Sequence, residues 1–149
     1  MQKKSLVVID IQNDITKNYK EIIDNVNRSI DWAVENEIHV VYIKHYNLSD
    51  GTRTFKPNTR GSELVPDMKL VSKNIFEKSK GNALTSEDFV DFIKKNEISE
   101  FYITGADAIA CVKFAYFIFL EKVRKIFAGQ CVTFGFFKNV FRNYFHVRN

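Results

Sequence analysis

The chain has 149 residues, 45% of them hydrophobic and 27% charged, with six glycines, two prolines and two cysteines. This size and composition predict one globular domain over residues 1–149 and exclude collagen-like, low-complexity and disulfide-scaffold proteins. No apolar run reaches the ~18–20 residues that cross a bilayer. The run after Lys4 stops at Asp10, which is too short for a signal peptide. We therefore expect a soluble, cytoplasmic protein.

The net charge of +4 at pH 7 is concentrated at one end of the chain. Residues 122–149 contain six basic and no acidic residues, whereas residues 1–121 are close to neutral. This distribution differs from a uniformly basic nucleic-acid-binding surface, so we expect neither a nucleic acid nor a membrane partner. One alternative concerns residues 134–149, an aromatic and basic tail whose side chains could stack bases or lie at an anionic interface.

Strands alternate with helices along the sequence. The β-branched runs at residues 5–9 and 39–43 lack apolar–polar alternation, as is typical of strands buried on both faces. Between them, the apolar residues from 19 to 34 recur at the spacing of an amphipathic helix. The later pattern predicts a loop at 46–73, a strand at 75–78, a helix from a Thr85 or Ser86 cap to about Lys95, a strand at 101–104 ended by Gly105, and a helix from about Ala110. The alternation predicts a three-layer α/β/α fold with a mostly parallel, Rossmann-like central sheet.

Three candidate functional residues follow different strands. In a parallel α/β sheet, ligands bind at the carboxyl ends of the strands. Asp10 follows the first strand, Lys78 ends the third, and Cys111 lies at the start of the helix after the fourth. Each has an ordinary structural explanation, as a turn residue, a surface charge or a small buried thiol. Their convergence at one edge of the sheet nevertheless favours a site.

These residue types are sufficient for acyl transfer through a thioester. A cysteine at a helix N-terminus has its thiolate stabilised by free N–H groups and by the helix dipole, and a nearby lysine adds to that effect. A carboxylate can take the thiol proton and later return it to a leaving amine. Backbone N–H groups between Gly105 and Cys111 could form an oxyanion hole.

Four segments together resemble a known family. Residues 6–14 (LVVIDIQND), 77–85 (EKSKGNALT) and 105–113 (GADAIACVK) resemble the signature blocks of the isochorismatase-like cysteine hydrolases, a superfamily that includes the nicotinamidases. Residues 61–66 (GSELVP) resemble the family's loop between the second and third strands. The resemblance extends from about residue 4 to residue 122.

The resemblance implies hydrolysis of a small amide or a related C–N bond. Asp10 matches the family's general acid/base and Cys111 its nucleophile. Lys78, rather than Lys80, matches the catalytic lysine. In the implied reaction Cys111 attacks the carbonyl, Asp10 protonates the leaving nitrogen, and water hydrolyses the thioester.

The resemblance also implies the surroundings of the reacting groups. A cis peptide bond would lie between Ala106 and Asp107, and the amides of Asp107 and Cys111 would form the oxyanion hole. Gln12 and Ile15 would line the substrate pocket, with Ile15 where the family often has an aromatic residue. The substrate would be a small molecule, and the protein would be a homo-oligomer.

The histidines depart from the family's metal-binding pattern. Nicotinamidases bind a metal through an Asp-x-His pair and a further histidine. Here His45 is followed by Tyr46-Asn47-Leu48, and the remaining histidines stand at positions 39 and 146. This scatter predicts no metal site and no cofactor.

Further departures leave alternative functions open. The helix after Cys111 is bulkier than the family's, Val123 stands where the family has a glycine, and residues 134–149 do not resemble the family's ending. We interpret the ending as truncated or frame-shifted, or else as a tail that contacts a membrane or RNA. The alternatives to amide hydrolysis are a catalytically impaired or dead relative that acts as a binding module, and hydrolysis of a vinyl ether of the isochorismatase type.

Overall fold

A computed structural model describes residues 3–16, 20–106 and 133–136 of the chain. The strands are β1 (Lys3–Ile9), β2 (His39–His45), β3 (Ile75–Lys78), β4 (Ile98–Gly105) and β5 (Thr133–Phe136). The α-helices are α1 (Asn13–Thr16), α2 (Lys20–Glu35) and α3 (Glu87–Lys95), and short 3-10 helices cover Arg60–Ser62 and Ala83–Thr85. The four strands and two helices predicted between residues 5 and 104 are confirmed. The helix predicted from about Ala110 lies outside the described residues.

The five described strands form one parallel sheet in the order β3-β2-β1-β4-β5. The predicted parallel sheet is therefore confirmed. The chain adds β2 and β3 on one side of β1 and then adds β4 on the other side. This change of direction is a topological switch point, and it opens a crevice at the carboxyl ends of β1 and β4. Asp10 is the first residue after β1 and lies at that crevice.

Strands β1 and β2 are buried on both faces, as the β-branched runs predicted. On one face, Val7, Ile9 and Ile43 pack with Phe89 and Ile93 of α3. On the other face, the strand residues Leu6, Val8, Val40 and Tyr42 pack with Val26, Ile30 and Ala33 of α2. The two helices thus cover opposite faces, which confirms the three layers. Among the described residues, no helix is long and apolar enough to span a membrane.

The start of α3 differs in detail from the prediction. Ser86 occupies the N-cap position, but its side chain makes no capping hydrogen bond. The side chain that caps is Asn82, one turn earlier, where its Oδ1 accepts a hydrogen bond from the Leu84 amide at 2.9 Å. The 3-10 turn Ala83–Thr85 leads directly into α3, so the polar cap serves that turn.

Gly105 ends β4 as predicted, and the packing explains why a glycine stands there. Its φ is +156°, and a Cβ at this position would lie 2.2 Å from the carbonyl oxygen of Ile9. The next amide, that of Ala106, donates to the same Ile9 oxygen at 3.0 Å. The absence of a side chain therefore lets the end of β4 lie directly against the residue that precedes Asp10.

Candidate active site

Asp10 turns the chain out of β1 at the carboxyl edge of the sheet. Its φ is +57°, in the left-handed region that a non-glycine residue enters at a cost, and aspartate tolerates this region better than most residues. Its amide still donates to the Ile43 oxygen at 3.0 Å, so the backbone stays attached to β2 while it turns. The residue is 2% exposed. The turn therefore holds a carboxylate at the strand end, away from bulk water.

Lys78 reaches the same carboxylate from β3, across the intervening strand β2. Its Nζ lies 3.1 Å from Oδ2 of Asp10, and the two side chains are 0% and 2% exposed. The same Nζ donates to the Gly81 oxygen at 3.4 Å. Lys80, the alternative rejected on sequence grounds, is exposed. The structure thus brings together two of the three residues proposed from the sequence, although they are 68 positions apart.

The second oxygen of the Asp10 carboxylate is differently placed. Oδ1 is buried and has no hydrogen-bond partner among the described residues. A buried polar atom without a partner is destabilising, so such atoms in native proteins need an explanation. One explanation is that Oδ1 receives a proton or a hydrogen bond from a reacting group, while Lys78 holds Oδ2.

Three of the predicted features fall outside the described residues. Cys111 and Asp107 are not described, and neither is the Ala106–Asp107 peptide that the resemblance implies to be cis. The described chain ends on this side at Ala106, which is 7% exposed and hydrogen-bonded to Ile9. The described chain therefore reaches the switch-point crevice beside Asp10 at a residue that precedes Cys111 by five positions in the sequence.

Gln12, a predicted pocket residue, uses its amide to brace the backbone around the site. Its Nε2 donates to the oxygens of His45 at 3.0 Å and Ser62 at 2.7 Å. Its Oε1 accepts from the His45 amide at 2.7 Å. Ile15 is partly buried and packs against the core on the α2 face. Lining of the substrate pocket by these two residues stays a prediction, and the structure adds a bracing role for Gln12.

His45 is a site residue that the sequence analysis considered only as a metal ligand. It ends β2 and is the register partner of Lys78 on β3. Its Nδ1 is buried without a hydrogen-bond partner among the described residues. Burial, followed by the positive charge of Lys78, lowers the pKa of His45 below 6.5, and Asp10 opposes this in part. The signal available in the sequence was its position at a strand end between Asp10 and Lys78.

The arrangement can move a proton without a metal. A dry carboxylate with one oxygen held by an ammonium group and the other open can accept a proton from an incoming thiol and release it again. Within the described ranges, no group of three or more His, Cys, Asp or Glu residues could hold a metal ion. The described residues therefore do not fit a metal site of the family's type.

The chain forms a three-layer α/β domain with a parallel central sheet. A buried carboxylate–lysine pair at the carboxyl edge of that sheet has the chemistry needed for proton transfer. The family model of the isochorismatase domain matches residues 4–121. The chain therefore belongs to the isochorismatase family, whose members are hydrolases. No curated protein sequence matches the chain.

Solved structures share this fold at low sequence identity. The nicotinamidase of Bacillus subtilis is 22% identical with a TM-score of 0.71, and the match covers 93% of this chain and 86% of that one. The pyrazinamidase of Pyrococcus horikoshii, solved in complex with zinc, is 20% identical with a TM-score of 0.71, covering 80% and 79%. The N-carbamoylsarcosine amidase of Thermoplasma acidophilum is 20% identical with a TM-score of 0.71, covering 81% and 78%. At these identities the likeness shows the fold.

Proposed function

We propose that this isochorismatase-family hydrolase is a cysteine hydrolase that cleaves a small amide through a thioester. The observation that carries the proposal is the buried pair of Asp10 and Lys78, whose Nζ and Oδ2 atoms are 3.1 Å apart. The pair lies at the carboxyl edge of the sheet, where the described chain reaches Ala106, five residues before Cys111 in the sequence. A lysine and an aspartate without solvent have a large desolvation cost. That cost is explained when the pair takes part in a reaction.

The described geometry supports a division of labour between the two carboxylate oxygens. Lys78 holds Oδ2 of Asp10, and the open Oδ1 takes the proton of the Cys111 thiol. The thiolate attacks the substrate carbonyl, and the amides of Asp107 and Cys111 stabilise the oxyanion. The C–N bond breaks as Asp10 returns the proton to the leaving nitrogen, which forms the thioester. Water, deprotonated by Asp10, then hydrolyses the thioester and restores the thiol.

The proposal of an amide substrate rests on the structural neighbours. A nicotinamidase, a pyrazinamidase and an N-carbamoylsarcosine amidase all share the fold with this chain. All three are amidases by name. Nicotinamide and N-carbamoylsarcosine are therefore the first substrates to test.

The test is the pH dependence of Cys111 alkylation by iodoacetamide, measured in a Cys131→Ser background. We expect an apparent pKa below the ~8.5 of a free thiol, and we expect it to rise in Lys78→Ala. Lys69→Ala is the matched control, because Lys69 also pairs with an aspartate but at the surface, and it should leave the profile unchanged. Release of ammonia from either amide should disappear in Cys111→Ser.

A Cys111 thiol that titrates as a free thiol in the wild-type background would overturn the proposal. Persistence of hydrolysis in Cys111→Ser would point instead to vinyl-ether hydrolysis or another reaction that does not need the thiol. Circular dichroism of each variant shows whether a changed profile reflects the site or a loss of the fold.

A further inference from the structure

His45 lies between the two charged residues of the site. Along β2, Val41 and Ile43 pack on the face of the sheet that α3 covers. His45 follows Ile43 by two residues, so its side chain lies on the same face. Its register partner Lys78 follows the alternation of Phe76, which packs against that same face. The imidazole and the lysine side chain therefore project from neighbouring strands on one side of the sheet. No residue separates them along the carboxyl edge.

Gln12 fixes the backbone of His45, whereas Nδ1 of its ring has no partner among the residues that the structure describes. Gln12 binds both the amide and the carbonyl of His45. Nδ1 is buried and has no hydrogen-bond partner within the described part of the chain. The lowered pKa keeps the imidazole neutral at pH 7, so its two nitrogens offer one donor and one acceptor. A neutral imidazole beside Asp10 and Lys78, with its backbone fixed and its buried Nδ1 unpaired among the described residues, is arranged to bind a group that is not part of the protein.

The ring is also held from outside by the loop between β2 and β3. The Phe55 ring meets the His45 ring edge-on, with centroids 5.6 Å apart and an interplanar angle of 89°. Phe55 has a φ of +56°, and its amide donates to Oδ2 of Asp14 at 2.7 Å. The Asp14 carboxylate occupies the space in which a Cβ of Gly61 would lie, 2.3 Å away. Asp14, four residues after Asp10, thus binds the backbone of the residue whose ring contacts His45.

We propose that His45 binds the substrate through Nδ1, with Phe55 as the outer wall of the same subsite. The inference rests on the proposed hydrolase function and names the kind of group the substrate presents there. Asp10 and Lys78 neutralise each other, and His45 is uncharged. The partner of Nδ1 is therefore an uncharged hydrogen-bonding group of the substrate, next to the amide that is cleaved.

The test measures binding separately from catalysis, in the full chain carrying Cys111→Ala. Nicotinamide and N-carbamoylsarcosine are the probes, and binding is followed by calorimetry and by the imidazole NMR signals of His45, assigned with His45→Asn. We expect nicotinamide, the uncharged probe, to shift those signals. His45→Leu should weaken its binding about tenfold, the size of one hydrogen bond. His45→Asn, which keeps a polar group at the Nδ1 position, should restore most of the affinity.

His39→Leu is the matched control, because His39 begins the same strand, is exposed at its other end and likewise meets a phenylalanine ring, that of Phe92, edge-on. It should leave binding unchanged. In the protein that retains Cys111, His45→Leu should raise KM about tenfold and leave kcat nearly unchanged, as expected for uniform binding.

Two results would overturn the inference: equal affinity of His45→Leu and its parent for nicotinamide, or His45 signals that stay in place when nicotinamide is added. The proposed function fails in a different way. If nicotinamide binds in a His45-dependent manner but neither amide is hydrolysed and Cys111 titrates as a free thiol, the subsite stands and the thioester mechanism is wrong.

Discussion

Two lysine–aspartate pairs in this protein have the same chemistry and opposite surroundings. Lys78 and Asp10 are 3.1 Å apart, with side chains 0% and 2% exposed. Lys69 and Asp31 are closer, at 2.6 Å, but their side chains are 50% and 47% exposed. The shorter contact is the less important one, because water and salt screen a surface pair, which contributes ~0–1 kcal/mol. Burial rather than distance separates the ion pair proposed to act in catalysis from a screened surface pair.

Replacing only one residue of the buried pair should lower the free energy of unfolding strongly. The Asp10 carboxylate has lost its hydration, and Lys78 is its ion-pair partner among the described residues, so removal of Lys78 leaves a buried charge without that counter-ion. The surface pair loses only a screened attraction. The comparison therefore predicts that the same substitution causes a much larger loss of activity or stability in the buried pair than in the surface pair.

The largest expected effect is on activity. Asp10→Asn removes the proton acceptor while it keeps the shape of the side chain, and we expect kcat to fall by ~10²–10⁴-fold, the range for general acid–base catalysis. Asp31→Asn should leave kcat unchanged. Ammonia release from the best amide substrate measures both. An Asp10→Asn variant with more than a tenth of the wild-type rate would mean that Asp10 does not transfer the proton.

The next effect is on stability. Lys78→Met should lower the free energy of unfolding by ~3–5 kcal/mol, because it leaves the Asp10 carboxylate buried and unpaired. Lys69→Met should cost at most ~1 kcal/mol. Urea denaturation at pH 7 measures both. The double variant Asp10→Asn/Lys78→Met sharpens the comparison, since removal of both charges should recover much of the loss. Equal losses for Lys78→Met and Lys69→Met would contradict the role given to burial.

The fold and the Asp10–Lys78 pair were accessible from the sequence for physical reasons. A strand buried on both faces must be apolar throughout, so the runs around Val7 and Val41 were readable without any long-range information. The edge rule for parallel sheets then places residues that end different strands near one another. It applied to Asp10 and Lys78 because both lie within one residue of a strand end.

Long-range polar contacts were not accessible. The side-chain amide of Gln12 binds backbone groups 33 and 50 positions away, and no local pattern encodes such partners. The amide of Phe55, which has a left-handed φ, likewise donates to the side chain of Asp14, 41 positions earlier. The sequence criterion applied to His45 was the Asp-x-His pair of a metal site. That criterion cannot detect a histidine that binds a substrate without a metal.

Gln12→Ala tests the bracing that the sequence did not reveal. It leaves the amide and carbonyl of His45 and the carbonyl of Ser62 without this partner, and buried unsatisfied groups cost ~1–3 kcal/mol each. We expect a loss of about 3 kcal/mol in the free energy of unfolding. Asn13→Ala is the control, because its side chain makes an exposed hydrogen bond to the Arg60 oxygen and should cost less than about 1 kcal/mol. Equal losses would show that water replaces the Gln12 contacts.

Gly105→Ala tests the close approach of β4 to Ile9. The new Cβ would meet the Ile9 oxygen at 2.2 Å, and a backbone atom cannot swing aside as a side chain can. We expect a loss of ~1–3 kcal/mol, as for other overpacked sites, together with reduced activity because the strain falls next to Asp10. Gly81→Ala is the control, since nothing lies within 4 Å of its Cβ position. Thermal denaturation of both variants would contradict the packing argument if the two midpoints agreed.

The smallest expected effect is a pH dependence of stability that arises from His45. Burial and the charge of Lys78 lower the pKa of this imidazole below 6.5, and Asp10 only partly opposes them. As the pH falls below 6.5, the unfolded chain binds the proton before the native state does, so the free energy of unfolding declines until the native imidazole is also protonated. Urea denaturation at a series of pH values should show a steeper decline in the wild type than in His45→Asn. His39→Asn, at the exposed end of the same strand, should follow the wild type. If the wild type and His45→Asn declined in parallel, His45 would be as easily protonated in the fold as in the unfolded chain. The conclusion that His45 is neutral between Asp10 and Lys78 would then be wrong.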